Sequence, residues 1–312
     1  MRVTVAICTW NRAPLLRRTL DGMTHLKVPP GIEWEVLVVN NRCTDDTDTV
    51  LASYVRRLPM RRLFQHRLGL SHARNLAVQE ATGRYILWTD DDVAVGPDWL
   101  AAYHAAFSRF PDAALFGGPV LPWFAARPPA WLRRAWPQAA LYYAIRDCPP
   151  EPAITPVYVP FGANLAIRTD MQVSHPYDPA LGRRGGDLLS GEDAQMVRTI
   201  LQAGGTGWWV PRAVVRHYLP RERLTIRYLR RVIGRGGEAG ASVLRDAHAA
   251  HVFGRPVWLW KKSLKAEVQY RVHRVRSTPD VWFPYLRQAS FCWGQLRGYA
   301  VPPRDGAIER VP

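Results

Sequence analysis

Short runs of β-branched and aliphatic residues alternate with amphipathic stretches over the first hundred residues. Val3-Thr4-Val5-Ala6-Ile7 is almost wholly apolar, as a strand buried on both faces should be. Ala13-Pro14-Leu15-Leu16 opens a helix expected to run to about residue 24, with proline in the first turn, where its missing N–H removes no helical bond. The alternation continues. Glu35-Val36-Leu37-Val38-Val39 predicts a second strand, residues 47–58 a helix and residues 61–65 a short third strand. Residues 71–81 predict another helix, closed by Gly83, and Tyr85-Ile86-Leu87-Trp88 a fourth strand. Apolar strands separated by helices are the pattern of a parallel, doubly wound sheet, so the fold class is α/β and Rossmann-like up to residue 110.

That sheet does not carry a dinucleotide fingerprint. Cys8-Thr9-Trp10-Asn11-Arg12 follows the first strand, with no G-x-G-x-x-G nearby. The glycines Gly234, Gly236, Gly237 and Gly240 have the wrong spacing and follow no buried strand, so they read as a flexible helix terminus. Residues 123–157, rich in Pro, Trp and Arg, read as an excursion from the sheet, a lid or an acceptor-site wall. Beyond Leu219 the pattern predicts basic helices over 226–233 and 259–276, then a proline-rich tail. The expected division is a catalytic domain over 1–220, with halves 1–110 and 111–220, and a basic helical extension over 221–312.

Composition adds two constraints. No apolar run approaches the ~20 residues of a membrane span, and the N-terminus enters a strand-like run without the pattern of a signal peptide. Cys8, Cys43, Cys148 and Cys292 show neither CxxC nor Cys/His spacing, which argues against a disulfide framework or structural zinc and for a reducing, cytoplasmic setting. The formal charge is +16, and its distribution is uneven. From residue 212 onward there are 20 Lys/Arg against 7 Asp/Glu, a net of +13, with 22 against 19 before it. Such a surface could meet anionic lipid headgroups, nucleic acid or an anionic substrate, or simply be solvated. No segment resembles a recognised nucleic-acid module, and acidic clusters at the presumed cleft would repel phosphates, so nucleic acid is not an expected partner.

The sharpest chemical feature is Thr89-Asp90-Asp91-Asp92, three aspartates where a buried strand ends. Neighbouring carboxylates repel unless a cation neutralises them. The carboxyl edge of an open α/β sheet is also where ligands bind. Hard oxygen ligands suit Mn²⁺ or Mg²⁺, which could hold a diphosphate. The plainer alternative is a cap for a helix starting near Pro97. A second acidic pair, Gly191-Glu192-Asp193, begins a helical stretch, where the macrodipole alone favours acids. Gly191 allows close backbone approach, and Pro160-Phe161-Gly162-Ala163-Asn164 lies upstream, so a carboxylate here could also accept an acceptor hydroxyl's proton.

Five blocks in order resemble glycosyltransferase family 2, which has the nucleotide-diphospho-sugar transferase (GT-A) fold. They are the run from Val5 to Arg12, then Val38-Val39-Asn40-Asn41 with Thr44-Asp45-Asp46-Thr47, then Gly69-Leu70-Ser71-His72-Ala73-Arg74-Asn75, the triple-aspartate block, and Gly191-Glu192-Asp193. The resemblance covers residues 1–204, and the last hundred carry little of it. It implies a nucleotide pocket lined by Thr9, Asn11 and Arg12, with Asn40 standing where the family often has Asp. It implies that Arg74 reaches the donor's phosphates or base, and that Asp91 borders the same donor site. Asp90 and Asp92 match the DxD pair, Asp92 as direct metal ligand and Asp90 nearer the ribose and sugar. Asp193 matches the catalytic base and Glu192 its neighbour, while Gly162 and Asn164 would flank sugar and acceptor. His217 follows a strand-like run, where some GT-A enzymes place a third metal ligand, although a lone histidine also has a plain structural reading.

The implied reaction is inverting transfer from a nucleotide-diphosphate sugar, UDP-sugars being commonest in the family, to a hydroxyl of a carbohydrate, glycolipid or small molecule. A sugar-1-phosphate nucleotidyltransferase would share fold and metal but normally has a glycine-rich loop after the first strand, and Cys8-Thr9-Trp10-Asn11-Arg12 has no glycine. In the basic third, Arg227, Arg230, Arg231 and Arg235 recur beside Leu224, Tyr228, Leu229 and Ile233. Trp258 and Trp260 adjoin Lys261 and Lys262, a pairing favoured at membrane interfaces, so peripheral contact with the inner membrane face is expected alongside the alternative of solvated arginines.

Overall fold

The apolar runs become strands in a computed structural model, which describes residues 1–149, 152–182, 191–241, 244 and 250–299. The strands are β1 (Arg2–Thr9), β2 (Glu33–Asn40), β3 (Met60–Phe64) and β4 (Tyr85–Asp90), and the helices between them are α1 (Ala13–Met23), α2 (Thr47–Tyr54) and α3 (Leu70–Glu80). α2 stops short of the expected residue 58. The chain turns back on Tyr54, whose carbonyl accepts from Arg57 and Leu58, and Pro59 follows. Next come β5 (Val93–Val95), α4 (Trp99–Arg109), β6 (Leu115–Gly117) and β7 (Val120–Phe124), then α5 (Ala130–Ala139), β8 (Leu165–Arg168) and α6 (Thr169–Ser174). α7 (Glu192–Gln202), β9 (Gly207–Trp209) and β10 (Val215–Leu219) follow, and then α8 (Ile226–Gly240), a two-strand hairpin of β11 (His251–Val252) and β12 (Arg255–Pro256), α9 (Val257–Arg276) and α10 (Pro279–Tyr299).

Two compact units make up the chain, Met1–Trp123 with Ala144–Tyr218, and Phe124–Tyr143 with Leu219–Pro312. The first unit holds a seven-stranded sheet in the order β3-β2-β1-β4-β8-β6-β9. β3, β2, β1 and β4 run parallel, β8 is antiparallel to both β4 and β6, and β9 runs parallel to β6. Period-two alternation sends Ala6, Leu37, Val39, Ile86 and Trp88 into a core with Ala73 and Ala77 of α3 and Met196, Val197 and Ile200 of α7. Val3, Val5, Ile7, Val36 and Val38 are also fully buried, so both faces of the sheet are covered, as the unbroken apolar runs require. A smaller three-stranded sheet has the order β5-β10-β7.

The second unit differs from the expectation in three ways. Residues 124–143, expected as part of an excursion from the catalytic domain, group with the C-terminal helices. Residues 279–299, read as tail, form the long helix α10, which packs against α5, α8 and α9. Pro279 is tolerated in its first turn, and Trp282, Phe283, Leu286, Ala289 and Leu296 supply a buried face despite Pro284. Of the glycines read as a flexible terminus, Gly234 and Gly237 are instead part of a helix-packing surface. A Cβ on Gly294 would fall 2.8 Å from the Gly234 carbonyl carbon, and one on Gly237 would strike the Phe291 carbonyl, so α8 and α10 meet at backbone distance. The proline-rich tail from residue 300, like Pro150, lies outside the described residues.

Candidate active site

Strand register assembles the acidic edge. β1 pairs in parallel with β2 and β4, opposing Thr9 to Asn40 and Cys8 to Asp90, so the three strands end together. Asp91 and Asp92 turn inward and are buried. The Thr9 hydroxyl donates to Asp91 Oδ2 at 2.8 Å, and the Thr19 hydroxyl donates to the Asp91 carbonyl at 2.9 Å. Arg12 Nη1 bridges both carboxylates, 3.0 Å from Asp91 Oδ1 and 2.9 Å from Asp92 Oδ2. Burial pushes the Asp91 carboxyl up to about 6 even against the pull of Arg12. None of the three aspartates caps α4, whose N-cap residue is Asp98. From the far end of the sequence, β10 pairs antiparallel with β5 and opposes His217 to Val93. That register sets His217 Nε2 3.4 Å from Asp92 Oδ1, with the Tyr218 N–H on the Asp92 carbonyl at 2.9 Å.

A second cluster forms around Arg74 of α3, which is buried between the rings of Trp88 and Tyr177, 5.8 and 5.1 Å from their centroids. Its Nη1 donates to Glu192 Oε1 at 2.9 Å and to the Asp193 carboxylate, and its Nη2 lies 3.8 Å from Asp90 Oδ1. One guanidinium therefore links the end of β4 to the first turn of α7. Gly191 precedes that turn at φ +126°, a conformation that favours glycine, and its N–H donates to Glu192 Oε2 at 2.9 Å. The pairing of Trp88 with Leu165 brings the tight turn Gly162–Asn164 beside the end of β4. The Gly162 N–H donates to Asp193 Oδ2 at 3.2 Å. A Cβ there would lie 2.6 Å from both Asp193 Cγ and Arg74 Nη2, so only glycine admits this approach. Burial raises the Asp193 carboxyl to about 7, with Arg74 pulling it down and Glu192 and Asp90 pushing it up.

Five carboxylates, Asp90, Asp91, Asp92, Glu192 and Asp193, thus share two guanidinium groups in these contacts. The excess is negative, so a diphosphate would enter against it unless a cation came too. Among the described residues no three His, Cys, Asp or Glu side chains converge as a ready-made metal cage. Mn²⁺ and Mg²⁺ do not need one, since they are commonly held by one or two protein groups with waters and substrate phosphates. The Asp92–His217 pair, with Asp90 half-exposed at the strand end, fits that kind of site.

Residues 4–147 match the model of the family described as Glycosyl transferase family 2. Over 250 residues, the chain is 26% identical to the succinoglycan biosynthesis protein ExoM of Rhizobium meliloti (strain 1021), covering 79% of this chain and 76% of that one. The first half of the chain is thus similar to glycosyltransferase family 2. The chain is also 24% identical to the glucosyl-dolichyl phosphate glucuronosyltransferase of Haloferax volcanii, with 70% of each chain covered. The mannosyltransferase of Pyrobaculum calidifontis, solved with GDP-Man and Mn²⁺, superposes with a TM-score of 0.61 at 20% identity, over 95% of this chain and 86% of that one, which shows the shared fold.

Several residues expected to meet ligand are engaged by the scaffold. Asn164 is fully buried. Its Oδ1 accepts from Trp99 Nε1 and the Tyr103 hydroxyl, both at 2.8 Å, and its Nδ2 donates to the carbonyls of Pro119 at 2.9 Å and Ala213 at 2.6 Å. Its amide has nothing left for an acceptor. Asn40, expected at the base or ribose, donates to Asp48 Oδ1 at 2.9 Å and accepts from the Cys43 N–H at 2.7 Å, which shapes the turn after β2. Asn11, at φ 51°, accepts from the Thr44 N–H at 2.7 Å and ties the loops after β1 and β2 together. Asn41, which stands in the second motif block without a role of its own, accepts from the Gly69 N–H at 2.9 Å and donates to the Arg67 carbonyl at 2.9 Å, holding the start of α3 and hence Arg74. Tyr177 walls the Arg74 pocket, and nothing in its local sequence marks it for that place.

Proposed function

We infer that this protein is an inverting, divalent-metal-dependent glycosyltransferase that moves a sugar from a nucleotide-diphosphate donor to an acceptor hydroxyl, with Asp193 as general base. The observation that carries this reading is the Arg74 bridge, which sets the Asp193 carboxylate within one guanidinium of Asp90 and so of the sheet edge where the donor lies. Thr9, Asn11, Asn40 and Asp91 shape the nucleotide pocket at that edge, the two asparagines through the loops they pin. Asp92, His217 and Asp90 would hold Mn²⁺ or Mg²⁺, which when bound supplies positive charge against the diphosphate.

The acceptor oxygen attacks the anomeric carbon from the face opposite the diphosphate. The bond from that carbon to the diphosphate oxygen breaks, its electron pair leaves with the nucleoside diphosphate, and the hydroxyl proton passes to Asp193. Held near neutrality by burial, that carboxylate is matched to taking a proton at physiological pH. Arg74 and the Gly162 N–H fix its direction, while Glu192 shares the guanidinium and accepts from the Gly191 N–H instead. The basic C-terminal third suits an acceptor met at an anionic surface. Among the described residues no helix is long and apolar enough to cross a membrane. The four free cysteines suit a reducing, cytoplasmic compartment.

A panel of UDP- and GDP-sugars, scored by Mn²⁺-dependent thermal shift and then by transfer, tests the reading. EDTA should abolish transfer and Mn²⁺ or Mg²⁺ restore it. Asp193→Asn should cost ~10²–10⁴ in kcat with donor affinity retained. Full activity without metal sinks the metal assignment, and an inactive Glu192→Gln beside an active Asp193→Asn transfers the base to Glu192.

A further inference from the structure

Helix α9 has two apolar faces. Leu259, Ser263, Ala266 and Tyr270 are buried within the helical unit, where α9 packs on α10. On the opposite side Leu264, Val268, Val272 and Val275 recur at intervals of four, four and three, the spacing of a single helical stripe. They are 53%, 60%, 41% and 87% exposed, which is far more than an inward face tolerates. A single exposed aliphatic residue needs no explanation, but four in one stripe form a patch that water disfavours. Just before α9, the hairpin of β11 and β12 lifts Phe253 to 86% exposure at its tip, and Trp260 Nε1 donates to the Val252 carbonyl at 3.1 Å to hold the hairpin against the helix.

The charges beside the stripe select what covers it. Lys261, Lys265, Arg271 and Arg276 are exposed along it, and the one acid of α9, Glu267, is taken up by Arg230 at 3.0 Å and Arg271 at 3.1 Å. Two arginines of α8 are committed inside the unit, Arg230 to Glu267 and Arg235 to Glu238, and the exposed cations that border the stripe are those of α9 itself. A second copy placed against this stripe would set lysine against lysine. An anionic bilayer would instead meet basic flanks with negative headgroups and take the aliphatic stripe into the acyl boundary.

We propose that the outer face of α9, with the Phe253 hairpin tip, docks this glycosyltransferase on a bilayer rich in anionic lipid. This deepens the reading of the basic C-terminal third given above. The full chain is sedimented with phosphatidylcholine vesicles and with vesicles containing phosphatidylglycerol, at low salt and at about 1 M salt, where screening shortens to about 3 Å. The expected result is pelleting with the anionic vesicles alone, reversed by salt. Leu264→Ser/Val268→Ser/Val272→Ser/Val275→Ser should lower vesicle affinity ~10-fold or more without lowering the melting temperature, since the four side chains face outward. Lys261→Ala/Lys265→Ala/Arg276→Ala should weaken pelleting and flatten its salt dependence. If the wild type pellets and the serine variant pellets equally, the docking face is elsewhere and this proposal falls while membrane contact stands. If the wild type ignores all vesicles, both fall. A dimer in analytical ultracentrifugation that the serine variant abolishes, without vesicle binding, gives the stripe to a second copy and overturns the proposal.

Discussion

Adding one methyl group at Gly162 should cripple catalysis while leaving the fold nearly intact. The methyl carbon of Gly162→Ala would sit 2.6 Å from Asp193 Cγ and from Arg74 Nη2, and closer still to Asp193 Oδ2. Ordinary contact begins near 3.5 Å, so something must move by about 1 Å. Arg74 cannot yield easily, because Trp88 and Tyr177 box its guanidinium and Glu192 holds it. Asp193 sits at the solvent side of the cluster, with 19% of its side chain exposed against 4% for Arg74, so the carboxylate is displaced first. A misplacement of about 1 Å in a catalytic group can cost ~10² in rate, which sets the expected loss in kcat. Gly162 carries no positive φ, so alanine adds no backbone strain, and the overpacking cost is about 1–3 kcal/mol, or a few degrees in Tm. Steady-state transfer at saturating donor, donor binding by calorimetry and a thermal melt separate these effects. The same substitution made in an Asp193→Asn background should cost little more, because both changes act on one group. A Gly162→Ala enzyme with kcat within about threefold of wild type would refute the reasoning, since a base in that position could not escape the methyl group.

Four further outcomes follow from the structure. With Asp193 held up to about 7 by burial, kcat/KM should rise with pH through about 7 as the carboxyl loses its proton, and Asp193→Asn should flatten the profile. In stability the sign is opposite, since a carboxyl whose folded pKa lies above its unfolded one favours the fold at low pH and loses that contribution as pH climbs from about 4 through about 7, which melts across pH would show. Arg12→Ala leaves Asp91 and Asp92 without their counter-ion, so the metal-free variant should be less stable by about 2–4 kcal/mol, discounted for the 30% exposure of Arg12, and Mn²⁺ should raise its Tm more than that of wild type; equal melting of the two proteins in EDTA contradicts this. Gly294→Ala drives a methyl group into the Gly234 backbone where α8 and α10 cross and should cost about 1–3 kcal/mol by denaturant titration, against no loss at exposed Gly236.

Much of the first half was legible in the residues because burial on both faces of a parallel sheet writes itself as unbroken apolar runs. Strands 1 to 4 and their helices fall within a few residues of the pattern, and the acidic blocks sit at strand and helix ends, where local sequence is enough to mark them. What local sequence could not determine is which groups satisfy one another. The triple aspartate called for a cation, and the fold supplies one of its own in Arg12, carried on the loop after β1. Arg74 was expected at the donor's phosphates or base, and only the tertiary structure shows that it also pairs with Glu192 and Asp193 while facing Asp90. Asn40 and Asn164 have the residue type of ligand contacts, and only the tertiary structure shows the Asn164 amide consumed by the scaffold and the Asn40 amide engaged with Asp48 and the Cys43 N–H.

The C-terminal third shows the same division more sharply. Glycine and proline punctuate helices in a sequence read locally, so α8 looked frayed and α10 looked like tail. In three dimensions Gly234 and Gly237 let two backbones touch, a gain that no single segment records because half of every contact lies about sixty residues away. The sequence by itself determined the four parallel strands, the family resemblance and the carboxylates available for chemistry, because hydrophobic period and short motifs are local properties. Tertiary structure alone decided how the charges pair, which asparagines are spent and which face of α9 is left without a partner, because each of those depends on what distant segments bring to the same place.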